Sequence, residues 1–343
     1  MSEIVVIGAG PAGCAAAIAL ARANRRVTML ERTAEAQESV CGEFLGGDAV
    51  ALLRGLGVDL PALGAVRLRG AQAATGRHEA TAALPFEAYG LSRRLLDAAL
   101  QQCAQAAGVR LQRGVAVPGA RRLGEGWEVA GLRTRHVVLA TGKHNLRGHA
   151  RQPGLGAIGL KLHLEGLDLP PVVSLLHFAG GYAGLQPGNG GLANLCAAMT
   201  GVPPGSAAAM LDRIRQGSAL AERLLRDARP LWARPLAVAG VPYGFRQQGG
   251  VAGLYRIGDQ LSVIPSFTGD GMAMALASGL AAARAIAAGQ DTADFHADWR
   301  RRAAGQMRLA GAGAWLMRAM PRTFVAGMAT PLAAMAMRGT RVA

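Results

Sequence analysis

Three glycines, Gly8, Gly10 and Gly13, stand between a short β-branched run and an alanine-rich stretch near the start of the chain. This order constrains the fold more than any other feature. Ile4, Val5, Val6 and Ile7 suit a buried parallel strand, and residues 14–23 suit a helix. In such a strand-turn-helix unit the first glycine permits the tight turn and the second lets backbone approach a pyrophosphate, while the third lets the helix pack on the strand. The helix N-terminus then offers unpaired N–H groups and positive dipole to phosphates. Residues 27–30 read as the next strand, ending at Glu31, a position where a carboxylate accepts hydrogen bonds from ribose hydroxyls. An ordinary glycine turn is the competing reading of the glycines alone. Strand, helix and acid together favour an adenine dinucleotide.

A second segment separates the dinucleotides. Residues 254–257 form a short strand ending in Gly258-Asp259, a loop runs through Pro265 to Thr268-Gly-Asp-Gly271, and residues 272–288 are alanine-rich and helical. Here the chain resembles the FAD-dependent superfamily of aromatic hydroxylases (p-hydroxybenzoate hydroxylase-like) and geranylgeranyl reductases, whose second fingerprint reads G-D, a gap, P, then G-x-G at a helix start. The resemblance implies an α/β fold: a Rossmann-like FAD-binding domain of the glutathione reductase type, an inserted antiparallel-sheet substrate domain and a C-terminal helical segment. It also implies that Asp259 bonds a ribityl hydroxyl, and that backbone near Gly271 and Met272 faces the flavin pyrimidine edge, with Pro265 and Gly269 shaping the loop. A helix N-terminus there stabilises negative charge on a reduced flavin. The plain alternative for Asp259 is a turn cap.

Between the two segments, Leu91-Ser-Arg93-Arg-Leu-Leu96-Asp97-Ala-Ala-Leu100 matches the family's R-x-x-L-D-x-x-L helix, which implies that Arg93 lies beside the cofactor; a solvated helix arginine is the alternative. Gly114-Val115-Ala-Val117 resembles the short strand whose backbone meets the adenine. Residues 136–140 read as a buried strand ending at Thr141-Gly142. With Pro11, Ala12 and Arg32 these complete the expected FAD contacts. Many hydroxylases carry an Asp-Gly pair associated with NAD(P)H use where this chain has Thr141-Gly142-Lys143-His144. NAD(P)H stands as the candidate electron donor, and that departure counts against it.

With 51% hydrophobic residues among 343, the chain can bury a large core. The expected division assigns 1–70, 90–155 and 248–290 to the FAD-binding domain, 71–89 and 156–247 to the substrate domain, and 291–343 to the helical segment. Cys14, Cys41, Cys103 and Cys196 lack C-x-x-C spacing, so neither a disulfide framework nor a metal site is expected. The apolar N-terminus has no basic leader, and a cytoplasmic enzyme, monomeric or homodimeric, is expected. The net charge of +15 comes from scattered arginines, with Lys143 and Lys161 the only lysines, and lacks the aromatic interleaving of a nucleic-acid groove. No nucleic-acid partner is expected. From Arg300 onward, arginines mix with Met307, Leu309, Trp315, Leu316, Met317, Met320, Phe324 and Met328. The pattern is compatible with an amphipathic helix on a membrane surface, and equally with a helical hairpin packed on the body.

The intervening region should choose the substrate. Residues 158–165 alternate, with Ile158, Leu160, Leu162 and Leu164 on one side and Gly159, Lys161, His163 and Glu165 on the other, as in a half-buried strand. Residues 172–178, 191–199 and 236–245 supply further strands. Their mostly aliphatic side chains favour a lipophilic ligand. Val40-Cys41-Gly42-Glu43-Phe44-Leu45 resembles the C-G segment near the flavin ring in geranylgeranyl reductase-like proteins, which makes Cys41 a candidate proton donor or gate and Glu43 a candidate base. The plainer alternative is that Cys41 is a small buried hydrophobe and Glu43 caps a helix. Tyr182-Ala-Gly-Leu-Gln-Pro187 resembles the reductases' Y-x-W-x-F-P motif with Gly184 and Gln186 replacing Trp and Phe. The halogenases' W-x-W-x-I-P run is absent. His163 and His177 sit in predicted strands, where a structural role is the commoner one. The favoured reading is an FAD-dependent monooxygenase hydroxylating or epoxidising a hydrophobic, aromatic or polyketide-like molecule. The alternative is a carbon-carbon double-bond reductase acting on a lipid or isoprenoid, and a non-enzymatic lipid- or partner-binding protein ranks last.

Overall fold

Around the glycine turn a five-stranded parallel sheet forms, in the order Leu254–Arg256, His136–Leu139, Ile4–Ile7, Val27–Glu31 and Arg110–Arg113. The structure, a computed structural model, describes residues 3–151 and 156–341. Ile4, Val5 and Val6 are fully buried, as the inner strands of a sheet covered on both faces must be. One face carries the helices Pro11–Arg22, Arg93–Ala106 and Gly271–Ala287. The first and last of these meet at backbone distance, since a Cβ on Gly279 would lie 2.3 Å from the Ala12 carbonyl oxygen. The other face is covered by a small antiparallel sheet, Ala120–Leu123, Gly126–Val129 and Leu132–Thr134, through Trp127 and Val129. The first helix starts at Pro11, three residues before the alanine-rich stretch. Proline is favoured at that position because the missing N–H would be unpaired anyway.

The second sheet has nine strands along its main path or beside it, built chiefly from Ala157–Glu165, Val172–Phe178, Gly181–Pro187, Ala193–Met199, Val66–Thr75 and His78–Gly90. Four expectations need correction. Val172–Phe178 runs parallel to Val66–Thr75, so the sheet is mixed and not purely antiparallel. Val66–Thr75 lies whole within this sheet, so a domain boundary at residue 70 falls inside a strand that is paired on both sides of a register shift between Leu68 and Gly70. Ala157–Glu165 is not half-buried: Lys161 is 0% and His163 5% exposed, because the polar side of the strand faces the 38–43 loop and not water. The Gly181–Pro187 strand joins the sheet in addition, and residues 114–117 form no strand, although the Gly114 and Val115 N–H groups donate to the Thr33 and Glu31 carbonyls.

The outer face of this sheet is covered by Ala207–Arg215 and Ala219–Leu225. The tail forms Thr292–Ala319, Pro321–Met328 and Pro331–Gly339. Phe295, Trp299, Met307 and Ala310 enter the core of the nucleotide unit, and Val325 and Met328 pack on Ala71 and Ala73 of the second sheet. The tail therefore packs on the body, while Trp315, Met320 and Met335 remain exposed. No described helix is long and apolar enough to cross a membrane.

Candidate active site

The C-terminal ends of the parallel strands, one face of the second sheet and the tail enclose a cavity of about 1320 Å³. That exceeds the roughly 300–1,000 Å³ of an ordinary ligand pocket, leaving room for a large cofactor and a second molecule. At the strand ends the glycines are dictated by backbone. Gly8 has φ +103°, and a Cβ there would lie 2.5 Å from the Ala140 oxygen; a Cβ on Gly13 would lie 2.0 Å from the Gly8 oxygen. Gly10 has only the Arg93 guanidinium nearby, at 3.5 Å, which leaves its backbone open to the cavity. The N-termini of Pro11–Arg22 and Gly271–Ala287 have no side-chain cap and no acidic residue in the first turn, so their N–H groups are available to phosphate and to a flavin edge.

Glu31 is pinned at its strand end. Ala9 N–H donates to its Oε2 at 2.9 Å, and the Thr33 N–H and hydroxyl both donate to its Oε1 at 3.0 Å. Lone pairs remain on the carboxylate for ribose hydroxyls. Arg32 pairs with His144 at 2.9 Å. Arg93 is held by a bidentate pair with Asp97 at 2.9 and 2.7 Å; burial works against its charge, but Asp97 outweighs burial and raises its pKa. Lys143 lies 3.6 Å from Asp259 and donates to the Val40 carbonyl at 3.1 Å. Of the expected cofactor residues, Gly8, Gly10, Pro11, Ala12, Glu31, Arg32, Arg93, Val115, Thr141, Gly142, Asp259, Gly269, Gly271 and Met272 line this one cavity. Gly13 packs behind the turn, and Pro265 is buried at the start of the loop before Gly269.

Glu43 does not fit the role of base. Its φ is +56°, and its carboxylate is fully engaged: Oε1 accepts from Arg93 N–H at 2.8 Å and from Lys161 Nζ, while Oε2 pairs with His163 Nε2 at 3.0 Å. Burial alone would push this carboxyl up, but the His163 hydrogen bond and the Lys161 charge outweigh it and hold the pKa below the usual range. A carboxylate so stabilised is a weak proton acceptor. Its bond to Arg93 N–H caps the helix Arg93–Ala106 from a distant loop. Glu38, Glu43 and His163 lie within metal-ligand reach of one another, yet Lys161 Nζ already bridges the two carboxylates, at 2.7 Å to Glu38. An ammonium there takes the place of a metal ion. Cys41 lines the cavity partly buried, and its Sγ accepts from Glu43 N–H at 3.4 Å. The loop is tied to the sheet by Asn194, whose Nδ2 donates to the Gly42 carbonyl at 2.8 Å.

Sequence reasoning missed several cavity residues. Gln101 is 3% exposed; its Nε2 donates to the Ala9 carbonyl at 2.9 Å, and its Oε1 has no partner among the described residues. Its spacing was legible, since 93, 97 and 101 share one helix face. Lys161 and His163 were legible only as the polar side of an alternating strand. The tail's contribution, from Leu316, Phe324 and Met328, was legible only as an amphipathic pattern that did not say which wall it would cover.

Asp270, the residue before the late helix, is 0% exposed and pairs with Arg341 at the far end of the chain, while its Oδ2 has no partner among the described residues. Burial outweighs the Arg341 charge and lifts its pKa to about 6. A carboxyl with a raised folded pKa contributes stability that is fully present below its unfolded pKa, near 4, and is lost as pH rises through about 6. A rise of about two units amounts to about 3 kcal/mol. Thermal melts should therefore show Asp270→Asn gaining on the wild type by roughly 5 °C between about pH 4 and about pH 7, with no further gain above. A gap independent of pH would show that Asp270 stays ionised throughout.

This geometry has counterparts among known proteins. A family model described as glucose inhibited division protein A matches residues 3–74. The menaquinone reductase of Mycobacterium tuberculosis is 32% identical over 179 residues, 48% of this chain and 41% of that protein, so the match spans less than half the length of that relative. Among solved structures, the flavin-dependent brominase Bmp2 superposes with a TM-score of 0.82 at 22% identity, covering 99% of this chain and 93% of that one. The halogenase PltM in complex with phloroglucinol and FAD gives a TM-score of 0.76 at 13% identity, covering 92% and 76%. At these identities the structural likenesses establish the fold. Taken with that fold, the glycine turn, Glu31 and the uncapped helix ends make a cradle whose shape and chemistry fit an adenine dinucleotide such as FAD.

Proposed function

We propose that the protein is an FAD-dependent monooxygenase that hydroxylates or epoxidises a hydrophobic small molecule. The observation that carries this reading is the composition of the cavity beyond the cradle. Leu84, Val173, Leu175, Leu316, Phe324 and Met328 form an apolar wall there, closed by the tail. Such a wall binds a lipophilic ligand and excludes water from the reacting atoms. FAD, when bound, supplies the electron transfer that activates dioxygen. The chain's own part is placement. Arg93 and the first helix N-terminus hold the pyrophosphate side, and backbone N–H groups at Gly271 and Met272 stabilise negative charge at the ring edge. The balanced reaction takes substrate, dioxygen, two electrons and two protons to oxygenated substrate and water. Although halogenases share the fold, the W-x-W-x-I-P run is absent from this sequence.

Double-bond reduction is the second reading, favoured by Cys41 on the cavity wall and by the likeness to a menaquinone reductase. One experiment separates the two. FAD-loaded protein, given a chemical reductant and a panel of lipophilic phenols and polyenes under isotopically labelled dioxygen, is expected to place one labelled oxygen in the product and to turn over nothing anaerobically. Anaerobic turnover that adds two hydrogens would replace this reading with the second, in which Cys41→Ser should then slow the reaction.

A further inference from the structure

The last helix, Pro331–Gly339, covers one side of the cavity with little of the packing that fixes the rest of the tail. Ala333, Met337, Thr340 and Arg341 line the cavity from this segment. Yet among the described side chains of the helix only Ala333 is buried; Met337 is partly buried on the second sheet, and Met335 is 67% exposed. The preceding helix, Pro321–Met328, differs. It buries Val325 and Met328 against Ala71 and Ala73, and Phe324 meets the edge of Phe267 with 5.9 Å between ring centres. A two-residue link, Ala329-Thr330, joins the two helices. Segments with few buried apolar contacts open locally at low cost, whereas well-packed ones open only with the body.

Polar contacts hold the far end of the last helix instead. Gln306 Nε2 donates to the Thr340 carbonyl. Arg341 turns its guanidinium inward: Nη1 donates to Asp270 Oδ1, Nε donates to the Met337 carbonyl at 3.0 Å, and Cζ lies 3.8 Å from the centre of the Phe86 ring. Gly46 keeps the slot open, since a Cβ there would collide with Arg341 Nη1. Three separate segments thus build a socket for one guanidinium: Gly46 ahead of the helix Gly47–Leu56, Phe86 in the strand His78–Gly90, and Asp270 ahead of the late helix. Asp270 is fully buried, so withdrawing Arg341 strands a carboxylate and resists opening.

The cavity reaches solvent along the seam between the last helix and Thr292–Ala319. Leu309 and Trp315 both line the cavity and are both exposed, and Leu309 lies against Gly339. Lifting the last helix widens this seam beside the apolar cluster that Met337 shares with Leu84 and Phe324.

We propose that the last helix is a gate, hinged at Ala329-Thr330 and latched by Arg341 in the socket of Asp270 and Phe86, whose lifting admits a lipophilic ligand to the cavity. The inference rests on the cavity binding such a ligand, and it assigns the route of entry and the residue that controls it. A gate leaves a kinetic signature. When free and bound protein are both mostly closed, easier opening multiplies the association and dissociation rates by the same factor and cancels in the affinity.

The test combines hydrogen exchange with rapid-mixing fluorescence on FAD-loaded full-length protein, using N-phenylnaphthylamine, which brightens in apolar surroundings, as the probe. Work at about pH 8 keeps Asp270 ionised, since burial lifts its carboxyl to about 6. In the wild type, amides of Pro331–Gly339 are expected to exchange at least about tenfold faster than those of Pro321–Met328, and bound probe should slow them. Arg341→Met should speed exchange in that helix, and both probe rates, by about tenfold, the worth of one charge-assisted hydrogen bond, with affinity kept within about twofold. Arg338→Met, on the exposed side of the same helix, should change neither. Equal exchange of the two helices in the wild type overturns the proposal. So do unchanged probe rates in Arg341→Met, or weaker binding at an unchanged association rate, which would make Arg341 part of a fixed wall. A probe that does not bind removes the lipophilic-ligand reading and the gate with it. If Arg341 governs probe entry while labelled oxygen never enters a product, the oxygenase reading fails alone. If oxygenation is found while entry is insensitive to Arg341, the gate fails alone.

Discussion

Glu43→Leu should lower stability by about 3 kcal/mol, because it leaves the ammonium of Lys161 and the imidazole of His163 buried against an apolar side chain. Glu38 still reaches Lys161 at 2.7 Å, which sets the effect at the lower end of the range for breaking a buried ion pair. The corresponding fall in melting temperature is roughly 5 °C or more. Adding Lys161→Met to Glu43→Leu should recover part of the loss, since removing both members of a buried pair is less harmful than stranding one. The same series tests the role of Glu43 in chemistry. As a structural hub, its Gln variant should lose stability and activity together. As a base, the Gln variant would keep its melting temperature while turnover collapsed. The depressed carboxyl pKa, set by His163 and Lys161 against the burial penalty, favours the first outcome.

Gly13→Ala is expected to reduce FAD affinity at least about 100-fold, roughly 3 kcal/mol, and to destabilise the apoprotein by about 2 kcal/mol. The added methyl would sit 2.0 Å from the Gly8 oxygen, in the turn whose N–H groups would face a bound pyrophosphate. Relief cannot come from a side chain, because the obstructing atom is backbone, so the helix must move off the strand. Gly55→Ala is the control: its Cβ would meet nothing within 4 Å, it lies within the helix Gly47–Leu56, and it should be neutral or slightly stabilising. Titration of apoprotein with FAD, followed by quenching of flavin fluorescence, checks both. Tight FAD binding by Gly13→Ala would mean that the turn has a looser alternative conformation.

The nucleotide unit was legible because its constraints are local. The glycines, the β-branched runs and Glu31 act within one strand-turn-helix unit, where spacing fixes geometry. Arg93 was legible through its helix motif, and Gln101 follows from the same face once the helix is placed. The alternation of residues 158–165 correctly gave a strand but misjudged its polar side. Lys161 and His163 look solvated in sequence and are buried in the structure, because the carboxylates that neutralise them come from a loop about 120 residues earlier. Gln186 was legible as a departure from a family motif, but not as an unpaired amide, since pairing depends on every neighbouring strand.

By itself the sequence determined the nucleotide-binding half of the fold, because its turn is made from nearby residues: Gly8 takes a positive φ that glycine adopts at little cost, and Gly13 has no room for a Cβ. Only the tertiary structure decided the other half. It brought Glu43 onto Lys161 and His163, and closed the cavity with a tail more than 100 residues from the strands it covers. Those contacts are non-local, and the polar residues in them are paired or orphaned only by what the rest of the chain places beside them.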